Sequence, residues 1–182
     1  SNLSDAAIVG HELELEIGMN ERFDFAVYHQ FEQIESFKYK GYKLRGRYRF
    51  GKTNQYFLDP LFYLEYHGKP DFSEHAIETK LILAKEINNI IASINPILEI
   101  KIEDGKQENK LEYAAGITYK INKIFNMGIE FKGSNNGHYW GPTISHGKHD
   151  IWFSLGSAMS IDKVVEGKPE LEIRMIMGVG IK

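Results

Sequence analysis

Residues 38–50 read KYKGYKLRGRYRF, and the character of their side chains alternates along the chain. One set of alternate positions contains Lys38, Lys40, Tyr42, Leu44, Gly46, Tyr48 and Phe50. The other set contains Tyr39, Lys43, Arg45, Arg47 and Arg49. Because successive side chains of a β-strand point to opposite faces, this stretch predicts a strand with one apolar face and one cationic face.

The same alternation recurs along the whole chain. Residues 12–17 alternate Glu with Leu or Ile, and residues 171–181 place Leu, Ile, Met or Val at every second position. About eleven such segments of roughly 9–13 residues follow one another, separated by turn residues and with no helix of note. The pattern predicts an all-β, antiparallel up-and-down fold in a single domain over residues 1–182, with residues 1–10 as a polar lead-in.

Composition narrows the function classes. The net charge of −3 gives no argument for nucleic-acid binding, and the absence of Cys excludes a disulfide framework and a thiolate metal site. No run of residues approaches the roughly 18 apolar residues of a membrane-spanning helix.

Two architectures fit the alternation. In a soluble barrel or sandwich the apolar face is the core, whereas in a membrane β-barrel it meets lipid and the charges line the lumen. Three features favour the membrane barrel: the alternation persists in nearly every strand, the charged face is rich in Gly and in both signs of charge, and aromatic residues lie near strand ends. These aromatic residues are Phe23, Tyr42, Phe50, Tyr56, Tyr66, Tyr113, Phe125 and Trp140.

Other features refine or oppose that interpretation. Lys38 and Lys40 fall on the apolar face, which is unfavourable next to lipid except at a strand end, where a lysine can snorkel.

Short turns are expected near Asn20, Lys52, Asn88, Asn122 and Lys148, and longer loops near Ser36, Asp71, Gln107, Asn135 and Val165. About eleven strands can be read in the sequence, and single-chain bacterial barrels have even strand numbers. The prediction is therefore a transmembrane barrel of about 12 strands.

Three stretches carry a resemblance to a known group of proteins. They are residues 12–18 with Arg22 and Phe23, residues 139–145 (YWGPTIS) and residues 151–156 (IWFSLG). In these the chain resembles bacterial outer-membrane β-barrels of the porin-like type, nearest to transporters related to phenol-degradation meta-pathway proteins. The resemblance implies an outer-membrane location, with the lipid bilayer and small solutes as partners. The chain departs from the common pattern by ending Gly180-Ile181-Lys182 instead of in an aromatic residue.

Charged residues of the polar face are the candidate lumen and selectivity residues. They are Lys43, Arg45, Arg47, Arg49, Glu65, Glu99, Lys101, Glu112, Glu130, Lys132, Glu172 and Arg174. These charges form either an electrostatic filter for passing solutes or a network of ion pairs that fills the interior.

A histidine-rich stretch offers candidate catalytic or metal-binding residues, namely His138, Ser145, His146, His149 and Asp150. It has no Gly-x-Ser-x-Gly motif and no regular metal-ligand spacing, so a polar loop is the preferred interpretation. The leading hypothesis is therefore a passive outer-membrane channel without cofactor, metal or catalysis. The alternatives are a soluble envelope barrel that binds an apolar ligand in its core, and a lipid-modifying barrel enzyme.

Overall fold

The computed structural model describes residues 8–148, 150–161 and 169–181, and throughout these ranges the regular structure is β-strand. The eleven strands are β1 (Val9–Gly18), β2 (Phe23–Gln33), β3 (Phe37–Arg49), β4 (Asp59–Gly68), β5 (Glu74–Ile87), β6 (Ile90–Glu103), β7 (Lys106–Lys120), β8 (Phe125–Ser134), β9 (Gly137–Lys148), β10 (Ile151–Ser160) and β11 (Leu171–Val179). The predicted all-β class is confirmed. The described ranges contain no helix that is long and apolar enough to cross a membrane.

The strands form one sheet in simple sequence order, from β1 through to β11, with each strand hydrogen-bonded to the next. This confirms the predicted antiparallel up-and-down order. The lead-in is shorter than predicted, because Val9 and Gly10 already pair with Gln33 and Glu32 of β2. Residues 1–7 of the predicted lead-in lie outside the described residues.

Contacts within the chain group into two compact units. Unit 1 comprises Ser1–Phe50, Leu61–Lys80 and Leu98–Lys110, and unit 2 comprises Gly51–Pro60, Leu81–Ile97 and Leu111–Lys182. Strands β1 to β3 lie wholly in unit 1, and β8 to β11 lie wholly in unit 2.

A β-bulge in β3 changes the side on which two lysines lie. In the β2–β3 register, Gln30 pairs with Gly41 but the next residue, Phe31, pairs with Tyr39, so Lys40 is an extra residue. Beyond the bulge Lys38 pairs with Glu32, and Lys40 Nζ lies 3.1 Å from Glu32 Oε1. The prediction that Lys38 and Lys40 lie on the apolar face is therefore wrong, because a bulge reverses the parity of the residues that precede it.

The connections do not alternate between short and long as predicted. Only two residues, Asp104 and Gly105, join β6 to β7, and only Asn135 and Asn136 join β8 to β9. The connection near Lys52, expected to be short, instead runs over residues 50–58. Asp104 and Gly105 both have positive φ angles, 51° and 72°, as a type I′ hairpin turn requires. Polar sequence around Gln107 is thus strand rather than loop.

Candidate functional site

Charged residues of β3, β4 and β5 are buried, while their apolar neighbours along each strand are exposed. Arg45 is 5% exposed and the adjacent Leu44 is 38% exposed. Glu65 is 3% exposed beside Leu64 at 44%, and Glu78 is 8% exposed beside Ile77 at 44%. Among the residues that the structure describes, the buried hydrophobic or aromatic side chains are Ala26, Tyr28, Ala76 and Tyr139. The protected interior of unit 1 is therefore polar.

Strand register explains how charges from four strands meet. Glu16 pairs with Ala26, Ala26 with Arg45, and Arg45 with Glu65, so these residues form one row across β1 to β4. Ala26 is fully buried, and its single methyl group leaves room for the long side chain of Arg45 to extend over it towards β1. Arg45 Nη2 consequently lies 2.6 Å from Glu16 Oε2.

Arg45 is the centre of this arrangement. Its Nη1 lies 2.9 Å from Glu14 Oε1, and its Nη2 lies 3.1 Å from Asp24 Oδ1. Nη1 also donates a hydrogen bond to the Tyr28 hydroxyl, which donates in turn to Glu14 Oε1 at 2.7 Å. The guanidinium thus reaches carboxylates on β2 and, beyond it, on β1, and its planar fork of donors suits this role better than an ammonium group would.

Two further cations extend the arrangement along β3. Arg47 lies 2.8 Å from Asp24 and 2.9 Å from Glu16. Lys43 Nζ lies 3.0 Å from Glu12 Oε2 and 3.5 Å from Glu65 Oε1. Arg47 shares Glu16 and Asp24 with Arg45, whereas Lys43 pairs with different carboxylates, including Glu65. The two sets of ion pairs meet at the Tyr28 ring, with Lys43 Nζ 5.8 Å and the Arg45 guanidinium carbon 5.4 Å from its centroid.

On β4 and β5 the set is continued by residues that the sequence analysis did not select. The Tyr63 hydroxyl donates to Glu65 Oε2 at 2.5 Å, and His67 Nε2 lies 2.7 Å from Glu65 Oε1. Lys80 Nζ lies 2.7 Å from Glu78 Oε1 and 4.4 Å from the centroid of the Tyr63 ring. We call the whole set the β1–β5 network; its members are Glu12, Glu14, Glu16, Asp24, Tyr28, Lys43, Arg45, Arg47, Tyr63, Glu65, His67, Glu78 and Lys80.

A second group of charges lies where β5 begins and β6 ends, also in unit 1. The predicted residue Lys101 is 2.9 Å from Glu103 and 3.2 Å from Glu74. Lys69, just after β4, is 2.6 Å from Glu74 and 3.4 Å from Glu103. Two lysines and two glutamates therefore alternate around this end of the strands.

A third group lies in unit 2 and is more exposed. Lys132 of β8 forms an ion pair with Glu172 of β11. Arg174 Nη2 lies 3.5 Å from Glu130 Oε2, and both side chains are more than half exposed. The four predicted residues Glu130, Lys132, Glu172 and Arg174 are thus brought together as two pairs.

Three further predicted residues lie on β3, β6 and β7. Arg49 is exposed at the end of β3, Glu99 is half-buried in β6, and Glu112 is half-buried in β7. Nine of the twelve predicted lumen residues therefore take part in these three groups of ion pairs.

The histidine-rich stretch does not form a compact site in the described residues. His138 and His146 lie near opposite ends of β9, where His138 is 3.1 Å from the Tyr113 hydroxyl and His146 stacks on Phe153. Ser145 Oγ accepts a hydrogen bond from Asn126 at 3.1 Å. His149, the remaining histidine of this stretch, lies outside the described residues.

Sequence reasoning missed Asp24, Tyr28, Tyr63, His67 and Glu78 as site residues. Their parity does place them on the polar face of β2, β4 and β5, which was the available signal. Parity alone, however, cannot tell which positions of adjacent strands are in register, and register decides which of these side chains meet Arg45 and Glu65.

Comparison of the chain with known protein families, with curated proteins and with solved structures finds no match.

Proposed function

We propose that this chain forms a β-barrel in a bacterial outer membrane and acts as a passive channel for small solutes. In this proposal the apolar faces of the strands meet lipid and the charged faces line the lumen. The observation that carries the proposal is the inverted burial in β3 to β5, where Arg45, Glu65 and Glu78 are protected while Leu44, Leu64 and Ile77 are exposed.

The energetics support lipid as the partner of the apolar face. Monomeric soluble proteins rarely expose a contiguous apolar surface of more than a few hundred Å². Here exposed large apolar residues occur on every one of the eleven strands. Moving one exposed Leu or Ile side chain from water into an apolar medium is favourable by about 1.5–3 kcal/mol, so a bilayer would stabilise the fold through many such residues.

The proposal requires the sheet to close into a barrel. An open sheet leaves unpaired N–H and C=O groups on its first and last strands, and these groups cannot remain unpaired in lipid. Even strand numbers in single-chain bacterial barrels again favour about 12 strands, one more than the eleven described here.

Within such a lumen we assign different roles to the charge groups. The β1–β5 network, whose charges are mostly paired and partly buried, holds the wall of the barrel and narrows the passage. The exposed pairs Lys132–Glu172 and Arg174–Glu130 meet the passing solute and bias its charge.

The test is to refold the full chain with and without detergent and to compare heated and unheated samples on a gel. We expect folding only in detergent, faster migration of the unheated sample, and conductance steps in a planar lipid bilayer. A monodisperse, folded protein in plain buffer would contradict the proposal and would favour a soluble envelope protein with an apolar ligand.

A further inference from the structure

Three side chains of the β1–β5 network have the composition of a metal site. Glu65 and His67 lie two residues apart on β4, and Glu78 lies on the adjacent strand β5. One ligand atom from each residue, two carboxylate oxygens and one imidazole nitrogen, lies within 4.8 Å of the other two. Both carboxylates are buried, so water does not readily replace a ligand here.

The contact between His67 and Glu65 is close, but its geometry is not that of a well-formed hydrogen bond. His67 Nε2 is buried and has no hydrogen-bond partner among the described residues, although Glu65 Oε1 is only 2.7 Å away. Two lone-pair atoms at this distance repel each other unless a proton or a cation lies between them. A proton requires an N–H that points at the oxygen, whereas a metal ion binds both atoms from a position beside the line that joins them.

The β1–β5 network as a whole contains more carboxylates than permanent cations. The network contains six carboxylates, from Glu12, Glu14, Glu16, Asp24, Glu65 and Glu78. It contains four permanent cations, from Lys43, Arg45, Arg47 and Lys80. The network therefore has two more carboxylates than permanent cations, while Glu65 and Glu78 themselves each lie beside a lysine, Lys43 and Lys80 respectively.

We propose that Glu65, His67 and Glu78 bind one divalent transition-metal ion on the polar face of β4 and β5. One imidazole with two carboxylates is a donor set for Zn²⁺ and its neighbours Mn²⁺, Fe²⁺ and Co²⁺, whereas Ca²⁺ and Mg²⁺ prefer oxygen ligands alone. Three protein ligands also match zinc sites that keep a fourth position for water. Tetrahedral zinc needs ligand atoms about 3.3 Å apart, so small side-chain rotations complete the site.

Neighbouring residues fit the role of outer-shell partners. Tyr63 and Lys43 contact Glu65, and Lys80 contacts Glu78, so each carboxylate is held by a group that is not itself a ligand. Such outer contacts orient metal ligands and commonly change metal affinity 10- to 100-fold when removed. The ligands also lie on paired strands rather than on loops, which keeps their positions fixed.

Calorimetric titration of the refolded full chain with ZnCl₂ tests the site, with MgCl₂ and CaCl₂ as comparison salts. We expect one Zn²⁺ per chain, no comparable binding of Mg²⁺ or Ca²⁺, and affinity at least tenfold lower in His67→Gln and in Glu78→Gln. The matched control is His29→Gln, because His29 contacts Tyr39 and lies on the apolar face of β2, paired with Leu13, opposite the face that carries Tyr28. Absence of stoichiometric Zn²⁺ binding, or equal loss in His29→Gln and His67→Gln, would overturn the proposal.

A measurement on the unmodified chain remains decisive if the variants do not fold. Co²⁺ in a site of low coordination number gives an intense visible absorption that hydrated Co²⁺ lacks. We expect this absorption to appear with one equivalent of Co²⁺ and to disappear when Zn²⁺ is added. A spectrum that stays that of hydrated Co²⁺ would overturn the site. Neither metal test depends on conductance, so failure of the channel proposal and failure of the metal site are separate results.

Discussion

Arg45 is the single residue on which the polar interior of unit 1 most depends. It contacts Glu14, Glu16 and Asp24 and is itself almost completely buried. Removing one partner of a buried ion pair is costly because the remaining charges lose their compensation without regaining full hydration.

We therefore expect Arg45→Met to lower the free energy of unfolding by about 3 kcal/mol, the low end of the range for buried pairs, because the carboxylates are partly exposed and water screens them. Denaturant unfolding of the detergent-refolded protein measures this. Arg49→Met is the control, since exposed Arg49 should change the value by less than about 0.5 kcal/mol. Equal effects of the two substitutions would show that Arg45 is not the centre of the network.

Gly141 illustrates a second kind of constraint at the residue scale. A Cβ atom at this position would lie 1.8 Å from the Ser157 carbonyl oxygen, which belongs to the backbone and cannot rotate away. At Gly18 an added Cβ would have no atom within 4 Å.

Gly141→Ala should lower the free energy of unfolding by about 1–3 kcal/mol, the usual cost of overpacking. Gly18→Ala should have little effect. The temperature at which the faster-migrating folded band is lost on a gel measures this for both variants in the same detergent. If both variants behave alike, then β9 and β10 do not approach each other at Gly141 as closely as described.

At the scale of elements, the bulge at Lys40 makes an unusual prediction about deletions. Lys40 is the extra residue between two stretches of regular β2–β3 pairing, so its removal leaves every other residue on its present face. Deletion of Leu44, in the regular part, would instead move residues 37–43 to the opposite face.

We expect the Lys40 deletion to fold with a loss of about 1 kcal/mol or less, mainly from its ion pair with Glu32, and the Leu44 deletion not to fold. The fraction of each deletion variant that migrates faster when unheated measures its folding yield and distinguishes the two. A Lys40 deletion that fails as completely as the Leu44 deletion would mean that the bulge is essential to the strand pairing.

The strands themselves were predictable from sequence because alternation of apolar and polar side chains is a local signal. The bulge was not, because Lys38, Tyr39, Lys40 and Gly41 fit regular pairing and bulged pairing equally well. The turn at Asp104 and Gly105 was hidden by the polar strand residues that follow it. Glu65, His67 and Glu78 come from two strands, so their approach depends on register, which the pattern does not fix.

For the whole molecule, the central expectation is that lipid covers the apolar face. Leu64 in β4 tests this directly because it is exposed in the protein alone. On a lipid-facing strand Arg costs about 2–4 kcal/mol near the bilayer midplane, whereas on a water-facing surface it costs little.

Leu64→Arg should therefore lower the ratio of folded to unfolded protein in lipid vesicles about 30-fold or more, because about 1.4 kcal/mol corresponds to a factor of ten. Phe57→Arg is the control, because Phe57 is 90% exposed in the connection between β3 and β4. Equal folding of the two variants would contradict the proposal that Leu64 meets lipid.

The full burial of Ala26 has a consequence for which substitutions this protein tolerates. A residue larger than Ala at position 26 would occupy the space through which Arg45 reaches Glu16. In a saturation-mutagenesis map, position 26 would accept only Gly, Ala or Ser, although it touches neither solute nor lipid in the proposed barrel. The neighbouring apolar positions would accept Leu, Ile, Val or Phe. The positions that tolerate the fewest substitutions would therefore be those that hold small or charged residues.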